Sequence, residues 1–108
     1  MVLRALHTPG HSRDHCCFVL EHRERKMGEK IHAPVFFSGD NVLGTGTSVM
    51  EDVGCYLKSL TRMHAVLTSA GNHEPVLLCP GHGDVVLDGA AKVAQYIEHR
   101  QVVWRFGC

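Results

Sequence analysis

Val35-Phe36-Phe37-Ser38-Gly39-Asp40 holds the pattern that organises the chain: an apolar run of strand length, a glycine that allows a tight turn, and a carboxylate just beyond it. The same design recurs on either side. Val2-Leu3-Arg4-Ala5-Leu6-His7 runs into Thr8-Pro9-Gly10-His11-Ser12, and Val76-Leu77-Leu78-Cys79 runs into Pro80-Gly81-His82-Gly83. Each strand is a rigid mount that fixes where the next side chain points. Imidazole, carboxylate and imidazole drawn from separate strand ends make the donor set of a zinc hydrolase. One Pro-Gly-His turn occurs in ordinary loops; two of them plus one Gly-Asp turn, each directly after an apolar run, carry the signal together.

The remaining segments fill in the elements. Cys16-Cys17-Phe18-Val19-Leu20 reads as a strand, and the charged stretch Glu21 to Lys30 as a solvated hairpin connection. Pro34 is expected to keep the Val35–Phe37 strand from extending far back as a central strand. Asn41 to Thr47 has two glycines and no helical period, which predicts a loop. Ser48-Val49-Met50-Glu51 has capping-box spacing with Ser48 as N-cap. Val53, Tyr56, Leu57, Leu60, Met63 and Leu67 follow at helical spacing, and this helix should end before Gly71-Asn72. A second helix is expected from about Gly89 to Arg105, with Ala90, Val93, Ala94, Ile97 and Gln101 or Val102 along one side. Three strands, helix, strand, helix, with helices crossing between strands, suggests a layered α/β or α+β fold.

Composition sets the bounds. A chain of 108 residues, 44% hydrophobic and 20% charged, suits one globular domain. Eleven Lys+Arg balance eleven Asp+Glu, so no global positive field draws nucleic acid. Nine histidines make a metal site worth seeking. Five cysteines without a Cys-x-x-Cys pair suit neither a disulfide framework nor a thiolate zinc site, and point to a reducing compartment. The apolar run at Met1 to Leu6 is too short for a secretory signal, and no segment approaches the ~20 apolar residues of a membrane span.

From Leu6 to about Arg100 the chain resembles the second half of a metallo-β-lactamase-superfamily domain. Its Thr-Pro-Gly-His-Ser, Ser-Gly-Asp and Pro-Gly-His-Gly motifs carry the likeness. The resemblance implies that His11 ligates one metal, His82 a second, and Asp40 bridges both, with two zinc ions as cofactors and Asp40 as the catalytic carboxylate. Phe37 to Thr47, Glu51-Asp52 and Tyr96-Ile97-Glu98-His99-Arg100 are similar to the beta-lactamase-like protein 2 branch, whose members are single-strand-selective endoribonucleases, one of them mitochondrial. The Cys-Gly-Arg segment usual in glyoxalase II thioesterases is missing after Asp40. His15 matches a residue that is usually structural in the family, and His7 is expected to be packed or hydrogen-bonded.

Residues 1–108 then correspond to one partial domain, the C-terminal half of an αββα sandwich without the family's His-x-His-x-Asp-His motif. The expected activity of the full-length protein is metal-dependent hydrolysis, with single-stranded RNA as the first substrate and a thioester or other ester as the alternative. The basic residues Arg23, Arg25, Lys26 and Lys30 are the candidates for strand contact. A non-catalytic truncated product is the reading from another class. The resemblance implies a mitochondrial-matrix or cytoplasmic location and association with an N-terminal half or with itself through an exposed sheet; the short apolar runs lead to the expectation of no membrane contact.

Overall fold

The computed structural model describes residues 2–22, 32–44, 52–68 and 75–106, without the side chains of 22, 32–34 and 100–106. The elements follow the expected order: β1 Val2–His7, β2 Cys16–His22, β3 His32–Gly39, α1 Val53–Leu67, β4 Leu77–Pro80 and α2 Gly89–Phe106. The four strands form one sheet in the order β1-β2-β3-β4. β1 with β2 and β2 with β3 are antiparallel, whereas β3 with β4 is parallel. A parallel neighbour needs a crossover, and α1 lies in it. β1, β3 and β4 therefore all run the same way and end on the same rim of the sheet.

Side chains alternate across the sheet with period two. The pairs Leu6–Cys17, Val19–Phe36 and Phe36–Leu78 face the helices. There they meet Tyr56, Leu60, Met63 and Leu67 of α1 and Val93 and Tyr96 of α2 in one core. Each of these larger side chains stabilises the fold by roughly 1.5–3 kcal/mol through its removal from water. Glu21 is buried on the same side, and its carboxylate accepts from Arg4 Nε at 2.8 Å. The opposite pairs, Leu3–Leu20, Ala5–Phe18 and Phe18–Phe37, lie on a face that no helix covers.

Three expectations change in detail. β3 is a central strand that passes through Pro34, reaching back to His32. The register makes this tolerable: Leu20 pairs Val35 and His22 pairs His32, so Ala33 and Pro34 sit together opposite Glu21 in an irregularity. Pairing with β4 begins only at Val35, so Pro34 has no ladder bond to lose there.

The N-cap of α1 is Asp52, with φ −136° and ψ 109°, and its carboxylate accepts from the Cys55 N–H at 2.9 Å. Ser48 and Glu51, the expected capping pair, lie outside the described residues. What selects Asp52 is tertiary: its own N–H donates to the Gly10 carbonyl at 3.3 Å, which holds it extended. The helix ends at Leu67 with Thr68 as C-cap, ahead of Gly71.

On α2, Val93 is buried as expected, but Ala94 is exposed and Tyr96 is buried instead. Tyr96 turns inward because its hydroxyl accepts from the Leu43 N–H at 3.2 Å. The side chains of Gln101 and Val102 are outside the description. No helix among the described residues is long and apolar enough to cross a membrane.

Candidate metal centre

The shared rim is where the three motifs meet. His11 comes from the β1–β2 loop, Asp40 directly follows β3, and His82 follows β4. Asp40 stands between the two imidazoles and offers one oxygen to each. His82 Nδ1 is 2.9 Å from Oδ1, and His11 Nε2 is 3.6 Å from Oδ2. All three side chains reach solvent, His82 most of all. The sequence thus named three residues that the fold gathers at one point.

Asp40 is held from behind. The Gly39 carbonyl accepts from the Gly81 N–H at 2.7 Å, which locks the ends of β3 and β4 together. A Cβ on Gly81 would lie 2.8 Å from Asp40 Oδ1 and 3.1 Å from Gly39 O, so the Pro-Gly-His motif needs glycine for close approach. Gly39 has φ +57°, and a Cβ there would lie 2.6 Å from His15 Nε2. Both glycines make room for the carboxylate and its support.

His15, next to but not among the expected ligands, is bonded at both ring nitrogens. Its Nε2 accepts from the Asp40 backbone N–H at 3.0 Å. A backbone N–H can only donate, so Nε2 is the bare nitrogen and the neutral ring carries its proton on Nδ1. Nδ1 then donates to Thr8 Oγ1 at 3.0 Å. The Thr8 hydroxyl passes its own proton toward Cys17 Sγ at 3.2 Å, and the thiol donates to the Ser38 carbonyl at 3.5 Å. Burial and the neighbouring His11 lower the His15 pKa, in keeping with a neutral ring. Burial raises the Cys17 pKa to about 12, which keeps it a thiol.

Further bonds knit the rim. Asn41 Nδ2 donates to the Thr8 carbonyl at 2.9 Å, and the Tyr56 hydroxyl donates to the Asn41 carbonyl. Ser38 Oγ donates to Val42 O at 2.8 Å, and the Gly44 N–H donates to His82 O at 3.0 Å. His7 is outside this cluster: it is exposed, and its Nε2 is bonded to Arg13 O at 2.9 Å, the hydrogen-bonded form of the expectation rather than the packed one. The parts that sequence reasoning left unassigned are Thr8, Asn41, Tyr56 and Cys17. Thr8 and Asn41 each lie inside or beside a motif, which was the available signal. Tyr56 and Cys17 carried none beyond apolar periodicity.

The donors fit a metal in part. Ligand atoms around one tetrahedral ion lie about 3.3 Å apart, given bonds near 2.0–2.1 Å. The His11–Asp40 and His82–Asp40 separations bracket that value. Each pair is two donors, however, and no group of three or more His, Cys, Asp or Glu among the described residues is placed to hold an ion. The chain has one imidazole for each oxygen of a shared carboxylate, which is part of a ligand set.

No family model matches the chain. Among curated proteins it is 41% identical over 99 residues to the lactamase-like protein nscB of Arthroderma gypseum, covering 92% of this chain and 26% of that protein. It is 43% identical over 98 residues to an atrochrysone carboxyl ACP thioesterase of Aspergillus chevalieri, covering 91% and 26%. It is 42% identical over 98 residues to the thioesterase pkgB of Emericella nidulans, covering 91% and 24%. The chain thus spans about a quarter of these relatives.

Solved structures agree on the fold. A metallo-beta-lactamase family protein from Thermus thermophilus matches with TM-score 0.65 at 23% identity, over 93% of this chain and 30% of that one. A beta-lactamase domain protein from Burkholderia ambifaria matches with TM-score 0.62 at 25% identity, over 93% and 29%. The beta-lactamase-like protein 2 branch is not among the likenesses found in these relatives. What the sheet order and the solved structures have in common is the fold: the chain has part of the metallo-β-lactamase fold and is similar over that part to lactamase-like proteins.

Proposed function

We propose that this chain is part of a metal-dependent thioester hydrolase, with His11, Asp40 and His82 as metal ligands. The observation that carries it is Asp40, set between two imidazoles with one oxygen toward each. The residues would hold two divalent ions, zinc being the ion that suits imidazole and carboxylate donors. Such ions supply Lewis acidity toward a carbonyl oxygen and toward water at neutral pH. Asp40 would set the spacing between them, with His11 on one side and His82 on the other. Gly39, Gly81 and His15 hold that carboxylate still.

The sequence reading ranked single-stranded RNA first and a thioester second. The relatives' names reverse that order, since two of the three described above are called thioesterases and none a nuclease. The supports for RNA are also only partly placed. Residues 45–47 of the loop after Asp40 and the basic residues Arg23, Arg25, Lys26 and Lys30 lie outside the described residues. A carboxyl-ACP thioester, the substrate class in one relative's name, is the one assigned here.

The test supplies the chain with an N-terminal segment carrying the His-x-His-x-Asp-His motif, fused or in trans. Thioester and labelled single-stranded RNA are then assayed side by side, with and without chelator. Thioester turnover should be chelator-sensitive and fall about 100-fold or more in Asp40→Ala. RNA cleavage with an intact thioester would return the substrate to the earlier ranking. Chelator-insensitive thioester turnover would remove the metal from the mechanism.

A further inference from the structure

We propose that His15 is a positioning residue: through its bare Nε2 it fixes the backbone of Asp40, and Thr8 sets the tautomer that leaves Nε2 bare. This rests on the reading of Asp40 as a shared metal ligand. The geometry is specific about direction. The Asp40 N–H donates to His15 Nε2 at 3.0 Å, and the other ring nitrogen is 3.0 Å from Thr8 Oγ1.

Thr8 is fully buried, and its hydroxyl also contacts Cys17 Sγ at 3.2 Å. With the thiol donating onward to Ser38 O, the hydroxyl proton is directed at sulfur and the oxygen's lone pair at Nδ1–H. That assignment gives the Nδ1, hydroxyl and thiol protons one acceptor each. Reversing the ring tautomer would aim an N–H at the Asp40 N–H and leave two donors facing each other, at a cost of about 1–3 kcal/mol for the buried unpaired group.

The backbone repeats the arrangement. The Thr8 N–H donates to His15 O at 2.9 Å, so the β1 and β2 ends are bonded by main chain at the point where the side chains meet. Gly39, at φ +57°, leaves the space that His15 Nε2 occupies. The Ser-Gly-Asp motif and the second histidine of His11-Ser12-Arg13-Asp14-His15 therefore depend on each other: glycine admits the ring, and the ring holds the aspartate that follows. Asp40 directly follows the end of β3, and the bond from its N–H to His15 fixes the backbone from which its half-exposed carboxylate projects.

Amide isosteres separate the two ring bonds. Gln at position 15 places its carbonyl oxygen near Nε2 and keeps the acceptor for Asp40; Asn places its amide near Nδ1, keeping Thr8 and losing Asp40. The measurements are Co²⁺ binding by titration and the Asp40 amide resonance in the metal-free chain. His15→Gln should bind Co²⁺ within about threefold of the parent, and His15→Asn about 10- to 100-fold more weakly, with a displaced Asp40 amide resonance.

Thr8→Val should resemble His15→Asn, and Thr8→Ser should restore the parent values. If His15→Asn fails to fold, the Thr8 pair makes the same comparison. Equal loss in Gln and Asn, or none in either, overturns the proposal. Asp40→Ala is the control for the underlying reading. If it binds Co²⁺ as the parent does, Asp40 is no ligand, while the amide resonance still decides whether His15 positions it.

Discussion

The two faces of the sheet are nearly equally apolar in sequence and opposite in fate. On one, Val19 and Phe36 are 0% exposed beneath α1 and α2; on the other, their neighbours Phe18 and Phe37 are 41% and 38% exposed, and Leu3 is 58% exposed. A half-solvated antiparallel strand alternates apolar with polar residues, whereas a strand covered on both sides reads as a continuous apolar run. Cys16 to Leu20 and Val35 to Phe37 are of the second kind. The open face of Leu3, Phe18, Leu20 and Phe37 has the composition of a buried surface. The comparison teaches that these strands are written for cover on both sides, and that within the described residues helices provide it on one.

The sharpest way to break the comparison is to truncate adjacent phenylalanines. Phe36→Ala removes a ring packed against Val19, Leu78 and the helices, and should cost about 3–5 kcal/mol. Phe37→Ala, one residue on and facing outward, should cost less than about 1 kcal/mol. Urea unfolding of both variants reads the difference, and similar midpoints would mean the outer face is covered after all.

A smaller effect is expected on association. The triple change Leu3→Ser, Phe18→Ser and Phe37→Ser should shift the chain toward monomer in gel filtration, because a contiguous exposed apolar patch promotes self-association. A parent chain that already elutes as a monomer at the same concentration would show that this patch does not drive contact.

The mildest probe uses the neighbouring cysteines. Cys16 faces outward and Cys17 inward, 0% exposed, with its pKa raised to about 12 by burial. At pH 8 in the native chain, iodoacetamide should label Cys16 and spare Cys17, while denaturant makes both reactive. Peptide mapping reads the two sites, and equal native labelling would show that the covered face opens readily.

Much of this was legible in the residues because local chemistry wrote it. Strand runs ended at Gly and Pro, and the helix periods of α1 and α2 and the three turn motifs rest on contacts only a few residues apart. The corrections all come from distant partners. Asp52 caps α1 because Gly10 holds its N–H, and Tyr96 turns inward to reach Leu43. Pro34 is admitted to a central strand because β2 carries an irregularity opposite it. None of these partners is visible in the window around the residue itself.

By itself the sequence determined which side chains could hold a metal and that each follows a rigid strand. Only the tertiary structure decided that they meet. β1, β3 and β4 share a direction through one antiparallel return and one helical crossover, so His11, Asp40 and His82 arrive at a common rim. The same holds for the support behind them. The sequence places His15 and Asp40 25 residues apart, and their 3.0 Å bond exists because β2 begins, antiparallel, beside the point where β3 ends. Hydrogen bonds and coordination are decided over a few ångströms in space, and chain position limits them only through the path that the sheet imposes.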